Sequence, residues 1–359
     1  MTEARQARII EQLERHGLDA FIYAGGPREA GEVHFLTGFR GFGGVVCWTR
    51  EGGRLYVRPL DEAKASEEAF CPAFGAQDPV KAAIESVADA AAIGIDPAAV
   101  RLVDYRAIAA ALPNPESTVK DAGGFIQSLT LRKDRAQQDH LRAAGRVVAD
   151  AVEATFALLR EGMSEAEAAQ ELGAEIYRHG GDAIAFKLVS FGENTAFPHH
   201  FPSRSRRLAP ADLVMIDCGA MVEGMASDIT RTVVWGEASG RQRELYDLVW
   251  RAQEAALETT CIGAIAEDVD AAARDVISAA GFGDQFIHSL GHGLGLSSGP
   301  RLRVGDRTRL EAGMAFTIEP GVYLSGIGGV RIEDDVLLTP EGSELLTASR
   351  SPELIVLPR

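Results

Sequence analysis

The segment IDCGAMVEGMASDITRTVVWG, residues 216–236, carries two aspartates in an apolar, strand-like context. Asp217 interrupts the apolar run LVMIDCGA, and Asp228 follows eleven residues later, after a Met-Val-Glu-Gly-Met turn that indicates a hairpin. A buried carboxylate is costly unless it is paired with a cation or bound to a metal ion. The segment therefore predicts paired strands whose aspartates need a positive partner.

Two more carboxylates and one histidine extend this pattern. Glu319 interrupts MAFTIEPGVYL, Glu333 interrupts VRIEDDVLL, and His292 lies among glycines in LGHGLGLSSGPRL. Taken singly, each has an ordinary structural explanation, such as an ion pair within Asp228–Thr230–Arg231 or a solvated strand end at Glu333–Asp335. Together they supply the mixed carboxylate and imidazole ligands that suit Mn, Co, Fe or Zn, and they are enough to hold two divalent cations.

The composition is that of an ordinary globular protein, with 359 residues, 46% apolar and 25% charged, which is comfortable for two domains. A formal charge of −16 argues against a nucleic-acid or anionic-membrane partner. No apolar run approaches the ~18–20 residues of a membrane helix, and the charged N-terminus lacks the apolar region of a signal peptide. Four scattered cysteines fit reduced thiols. We therefore predict a cytoplasmic protein.

The pattern of elements divides the chain in two. Alternating strand-like and helical stretches predict a small α/β domain over residues 1–128, ending in the turn-rich passage LPNPESTVKDAGG. Residues 129–359 combine long helical patterns with strand-like segments, and Ser164 with Glu167 forms a capping box at one helix start. The predicted fold class is α+β, with the smaller α/β domain first.

Four strings, in order, resemble the pita-bread metallopeptidases, and the proline-specific prolidase and aminopeptidase P in particular: IDCGAMVEGMASDITRTVVWG, HSLGHGLGL, GMAFTIEPGVYL and GGVRIEDDVLLT. The resemblance spans about Leu129–Thr347, and ERHGLDAFI with HFLTGF is similar to the N-terminal domain of those enzymes. It implies a pita-bread (creatinase/aminopeptidase) catalytic domain in residues 129–359, preceded by a creatinase/prolidase-like α/β domain in residues 1–128.

The resemblance also implies a metal site. Two divalent ions, Mn, Zn or Co, would be held there, and a water or hydroxide between them would be the nucleophile. Glu319 would in addition move protons, first as general base and then as acid to the leaving nitrogen. The implied ligands are Asp217, Asp228, His292, Glu319 and Glu333.

Further residues match family positions that handle the substrate. His199, in FPHH, matches a catalytic histidine that hydrogen-bonds the substrate or the developing tetrahedral intermediate; its alternative is a loop histidine. His288 and Arg331 match family residues that orient carboxylates or substrate, and the alternative for both is a structural role next to the site. Arg301 would bind the free carboxylate of a dipeptide, since a guanidinium suits that task; a surface arginine is its alternative. Tyr323 is a candidate substrate-binding hydroxyl.

One departure from the family concerns the cavity wall. Proline-specific relatives continue from GHGxGL into a Glu-x-His-Glu string, whereas GLSSGP follows here and no histidine occurs after His292. The loss removes one substrate-facing donor, which typically costs ~10²–10³ in turnover unless another group replaces it. Ser297, Ser298 and Tyr323 are the candidate replacements. The metal ligands remain complete, so the prediction is a working site with an altered wall.

The function implied is that of an Xaa-Pro dipeptidase acting on proline-containing di- or oligopeptides, as a homodimer. The preference for dipeptides rests on Arg301 and on the short first domain. The alternatives are an aminopeptidase P acting on longer peptides, a non-peptidase hydrolase or lyase of small molecules on the same fold, and a peptide-binding protein. The complete set of ligand residues counts against the last of these.

Overall fold

The computed structural model describes residues 3–26, 30–296, 299–347 and 349–359. The chain forms two compact units, Met1–Thr130 and Leu131–Arg359. Among the described helices, none has both the length and the apolar composition that crossing a bilayer requires.

The first unit is an α/β sandwich around one mixed sheet. The strands follow the order β4-β3-β2-β1-β5-β6, with β1 antiparallel to β2 and parallel to β5. The helices are α1 (Glu3–Arg15), α2 (Ala30–Thr37), α3 (Glu62–Glu68), α4 (Pro79–Glu85), α5 (Leu102–Ala111), α6 (Pro115–Thr118) and α7 (Phe125–Thr130). The strands are β1 (Ala20–Gly25), β2 (Gly44–Thr49), β3 (Gly52–Val57), β4 (Ala73–Gly75), β5 (Ile93–Ile95) and β6 (Val119–Asp121).

Two sequence signals in this unit are confirmed. The opening amphipathic helix ends before Gly17, which has a φ of 62°, a conformation that glycine adopts without steric cost. The predicted hairpin around Arg50–Gly53 joins β2 to β3 as an antiparallel pair. Apolar side chains of the sheet, including Ile22, Cys47 and Ile93, pack beneath α4 and α5.

The second unit is an α+β domain with helix pairs and curved strands. The main sheet has the order β16-β10-β8-β7 with β9 paired to β8, a second sheet runs β11-β14-β15, and β12 pairs with β13. The helices are α8 (Arg135–Leu158), α9 (Glu165–Arg178), α10 (Gly240–Thr259) and α11 (Ala266–Ala279). The strands are β7 (Ala183–Phe191), β8 (Leu213–Val222), β9 (Met225–Ala226), β10 (Ile229–Trp235), β11 (Ala315–Ile318), β12 (Gly321–Leu324), β13 (Gly328–Arg331), β14 (Asp334–Thr339), β15 (Gly342–Leu345) and β16 (Val356–Leu357).

Helix pairs cover this unit, with α8 packed on α9 and α10 packed on α11. The capping box that the sequence predicts is present at the start of α9, where Ser164 and Glu167 exchange side-chain and backbone hydrogen bonds. Such a cap satisfies backbone N–H groups that a helix start otherwise leaves without partners.

The hairpin predicted between the two aspartates is also confirmed. Val222 pairs with Met225, so the turn consists of Glu223 and Gly224, with φ values of 51° and 78°. Two consecutive positive φ angles give the turn whose twist matches paired strands. The chain then returns as β10, which pairs antiparallel with β8.

The two glutamates predicted inside strands lie instead at breaks between strands. Glu319 falls between β11 and β12, where Pro320 has no N–H to continue a ladder. Glu333 falls between β13 and β14, and pairs only through an isolated bridge to Thr230. At such a break, the side chain no longer has to point to one or the other face of a sheet. Both glutamates line the same cavity.

Candidate active site

A cavity of about 830 Å³ opens in the second unit. Phe186 and Leu188, two residues apart on β7, form part of an apolar wall with Ile287. The rest of the lining is mostly polar and contains most of the residues singled out from the sequence: His199, Asp217, Asp228, His288, His292, Glu319, Arg331 and Glu333. The structure thus brings together side chains from positions more than a hundred residues apart.

Asp228, His292 and Glu333 form the tightest group, with one potential ligand atom of each within 4.8 Å of the others. His292 Nε2 also lies 3.4 Å from Glu319 Oε1. Among the described residues, Asp228 Oδ1 and Glu333 Oε1 are buried and accept no hydrogen bond. Buried carboxylate oxygens without donors are rare because they are costly, and a divalent cation would satisfy both. The donor set therefore fits a metal ion.

The orientation of His292 follows from its backbone. Its Nδ1 lies 3.1 Å from the carbonyl of Gly293, which can only accept, so Nδ1 carries the proton and Nε2 presents a lone pair to the carboxylates. The segment runs beside β11, with Thr317 N donating to His292 O at 2.8 Å. A Cβ at Gly291 would meet the carbonyl of Thr317 at 1.9 Å, so this close approach requires glycine.

A buried network of hydrogen bonds holds the carboxylates of Asp217 and Glu333 in place. Arg331 donates through Nη2 to Asp217 Oδ2 at 2.5 Å and through Nε to Thr230 Oγ1 at 2.9 Å. The Thr230 hydroxyl in turn donates to Glu333 Oε2 at 2.5 Å. One oxygen of Glu333 is thereby held, and the other is buried without a donor.

The network continues to His288 through Tyr323. His288 Nδ1 lies 2.8 Å from the carbonyl of Ser289, and burial lowers the pKa of His288 to about 4, so the ring is neutral with its proton on Nδ1. Its Nε2 therefore accepts from the Tyr323 hydroxyl at 2.9 Å, and that hydroxyl accepts from Arg331 Nη1 at 2.8 Å. Both His288 and Tyr323 are committed to holding Arg331.

The electrostatics of the cluster favour a bound cation. Burial, reinforced by Glu333 and Asp217, raises the pKa of Asp228 well above its ordinary value. Burial and the neighbouring Glu319 and Asp217 carboxylates do the same to the pKa of Glu333. Burial also raises the pKa of Glu319 to about 7. Carboxyl groups that resist ionisation alone become good ligands once a divalent charge compensates them.

The two local alternatives for the acidic strings are wrong. Arg231 pairs with Asp334 at 2.7 Å and donates to the Glu333 carbonyl, not to Asp228. Glu333, Asp334 and Asp335 are all buried, so no solvated strand end exists there. A buried carboxylate such as Asp334 is costly without a cation, and Arg231 and Arg350 both pair with it.

Three substrate-handling candidates are not among the described residues of the cavity lining. Arg301 is exposed and is not part of the described cavity lining, so its role stays a prediction. Ser297 and Ser298 lie outside the described residues.

Thr230 was not singled out for the site, although it follows Asp228 by two residues and shares its side of the strand, a spacing that predicts a common environment.

Comparison with known proteins identifies the family. Residues 139–340 match metallopeptidase family M24, and residues 5–131 match the creatinase/prolidase N-terminal domain. Since the first match covers more than half of the chain, this protein belongs to metallopeptidase family M24. The predicted class of hydrolase and the predicted order of domains are confirmed.

Individual relatives match along the whole chain. The Xaa-Pro dipeptidase of Pyrococcus horikoshii is 34% identical over 347 residues, which is 95% of this chain and 95% of that protein. The solved Xaa-Pro dipeptidase from Bacillus anthracis superposes with a TM-score of 0.91 at 30% identity, over 99% of both chains. The X-Pro aminopeptidase from Thermotoga maritima superposes with a TM-score of 0.87 at 28% identity, over 97% of this chain and 100% of that one.

Proposed function

We propose that this protein is an Xaa-Pro dipeptidase that works with two divalent metal ions. The observation that carries the hydrolase chemistry is the cluster of Asp228, His292 and Glu333 in the cavity lining, in which one buried oxygen of each carboxylate has no donor. The substrate class comes from the relatives, since an Xaa-Pro dipeptidase matches this chain over 95% of both lengths.

Five residues would hold the metal ions: Asp217, Asp228, His292, Glu319 and Glu333. When bound, divalent ions at such a site lower the pKa of water and polarise the scissile carbonyl. The protein contributes the fixed geometry. Thr230 restrains one oxygen of Glu333, and Arg331 restrains one oxygen of Asp217, so that the remaining oxygens keep their direction when substrate enters.

Glu319 and His199 would carry the proton and hydrogen-bond chemistry. Glu319 lines the cavity 3.4 Å from His292 Nε2, where its carboxylate would accept a proton from the attacking water and return it to the leaving proline nitrogen. His199 is exposed in the cavity wall, where its ring N–H would donate to the oxygen that becomes negative as the carbonyl is attacked. His288 would act indirectly, by holding Tyr323 and Arg331.

The test is a hydrolysis panel with protein loaded with Mn or Zn. Ala-Pro, Ala-Pro-Ala and Ala-Ala are compared, and Asp228→Asn serves as the variant with a damaged ligand set. Cleavage of Ala-Pro alone supports a dipeptidase. If all three peptides stay intact with the loaded protein, the peptidase proposal fails.

The second candidate is an Xaa-Pro aminopeptidase, favoured by the superposition on the X-Pro aminopeptidase from Thermotoga maritima. Release of alanine from Ala-Pro-Ala would decide for it. The same proposal includes three further points: the bound metal is Mn, Zn or Co, two ions are bound, and the protein is a homodimer. Elemental analysis of the purified protein and light scattering of the eluted peak test them.

A further inference from the structure

Glu165 is a fully buried carboxylate outside the metal site, and four donors converge on it. Its side chain lies at the first position of α9 and has no exposed surface. Oε1 accepts from Phe191 N at 2.8 Å and from Asn194 Nδ2 at 2.9 Å. Oε2 accepts from His200 Nε2 and from Ser203 N, both at 2.9 Å. A carboxylate that accepts this many hydrogen bonds is difficult to replace.

The donors come from both ends of one segment, residues 191–203. Phe191 and Asn194 precede the tight turn Phe197–His200, and His200 and Ser203 end it or follow it. The turn is closed by His200 N donating to Phe197 O at 3.1 Å, and Pro198 stands at its second position, where its fixed φ is favourable. Glu165 therefore clamps the segment that carries His199.

The same segment touches the site on its other side. Arg331 Nη1 donates to Pro198 O at 3.4 Å, and Gly329 N donates to Thr195 Oγ1 at 2.7 Å. Of the two adjacent histidines, His199 lines the cavity while His200 reaches back to Glu165. The paired histidines thus have different partners, one facing the cavity and one facing the clamp.

We propose that Glu165, acting through His200, is a positioning residue that fixes the turn Phe197–His200 and so sets the place of His199 in the cavity. The inference rests on the proposed function, in which His199 donates to the substrate. Misplacing a donor by about 1 Å costs roughly 10² in rate, because the bond is formed only at the transition state.

The principal test compares Glu165→Gln in two backgrounds. An amide presents one N–H₂ group to donors that need an acceptor, so half of the clamp is lost in either orientation. We expect kcat for Ala-Pro to fall about 10- to 100-fold with KM changed less than about threefold. In a His199→Gln background the same substitution should lower kcat by less than about threefold, since its effect passes through His199. Equal losses in both backgrounds would overturn the proposal.

The matched control is Glu167→Gln, the same chemical change two residues along α9. Glutamine at this position still completes the capping box with Ser164, and the contact it weakens, with Arg207, is largely exposed. Its kcat should equal that of the unaltered protein.

Two substitutions at His200 keep the test decisive if Glu165→Gln does not fold. His200→Gln retains a side-chain N–H in reach of Glu165 and should keep kcat within about threefold, whereas His200→Leu should lose about as much as Glu165→Gln. A His200→Gln variant as impaired as His200→Leu would mean that the imidazole itself acts on substrate, which contradicts a positioning role.

Hydrogen exchange separates failure of the clamp from failure of the proposed activity. The amides of Phe191 and Ser203 donate to different oxygens of Glu165, so the one left facing the amide N–H₂ group should exchange faster in Glu165→Gln while β8 remains protected. Unchanged exchange would refute the clamp whatever the substrate is. Normal clamp behaviour in a protein that cleaves no peptide would instead refute the peptidase proposal.

Discussion

Replacing a metal-site carboxylate should stabilise the chelator-treated protein. Asp228 is 7% exposed, and an oxygen of Glu333 lies within 4.8 Å of its own. Two full charges at that distance repel by about 3 kcal/mol at an effective dielectric constant of ~20. Part of this cost is relieved by proton uptake. We therefore expect Asp228→Asn to raise the free energy of unfolding by about 1–3 kcal/mol at pH 7.

The gain should depend on pH with a defined sign. The pKa of Asp228 is raised in the folded protein by burial and by neighbouring carboxylates, so between about pH 4 and that pKa the folded state holds a proton that the unfolded chain has released. The penalty on folding therefore grows as the pH rises from about 4. The advantage of Asp228→Asn should be present at pH 7 and disappear near pH 4.

The assay is urea unfolding of both proteins with chelator and then with added Mn. A ligand at a hundredfold excess over its Kd stabilises by about 2.7 kcal/mol, and Asp228→Asn should gain much less than the unaltered protein. Asp247→Asn is the matched control, since the Asp247 side chain is 62% exposed and the change should stay within about 0.5 kcal/mol. A chelator-treated Asp228→Asn protein less stable than its parent would refute the reasoning.

Three other predictions follow from buried polar groups. Burial lowers the pKa of Lys133 to about 7, so above that pH the folded protein binds fewer protons than the unfolded chain. The free energy of unfolding should therefore rise by up to ~1.4 kcal/mol per pH unit between about pH 7 and 8.5. Lys133→Met should remove that slope in urea unfolding, and an unchanged slope would contradict the assignment. Tyr323→Phe removes the hydroxyl that hydrogen-bonds His288 and Arg331 and leaves both of these groups without that partner. The free energy of unfolding, measured in the same way, should fall by about 1–3 kcal/mol. A loss below about 0.5 kcal/mol would argue against the network. Thr230→Val should weaken metal binding about 10- to 100-fold, measured by competition with a chelating dye, because Glu333 loses the hydroxyl that restrains it. Thr230→Ser keeps the hydroxyl and should bind metal as the unaltered protein does. Equal metal affinities of the two variants would exclude the restraint on Glu333.

The order of elements could be predicted because local patterns determine it. The hairpin at Glu223–Gly224 and the capping box at Ser164 each depend on a few neighbouring residues, and both are as predicted. The strand breaks at Glu319 and Glu333 were missed, because apolar residues on either side of a break look like one strand.

The site was harder to predict because its partners are distant in sequence. That Arg231 pairs with Asp334 is decided by the packing of β10 against β14, two strands of different sheets whose paired residues are more than a hundred positions apart. The role of Glu165 could not be predicted, because acidic residues are common at the start of a helix and both Glu165 and Glu167 fit that pattern. Only the structure shows that Glu165 is the buried one and Glu167 the exposed one.

The bridge between Thr230 and Glu333 has a consequence for how the protein is made. The two residues are separated by 103 positions, so Glu333 is added to the chain long after Thr230. Contacts this remote in sequence form late, after the intervening chain has been ordered. During synthesis, domains fold as units from the N-terminus, so the first unit can be complete while this bridge still lacks one partner. A chain stopped before residue 333 would contain Asp217 and Asp228 but not Glu333, so the set of ligands that we propose is complete only after residue 333 has been added.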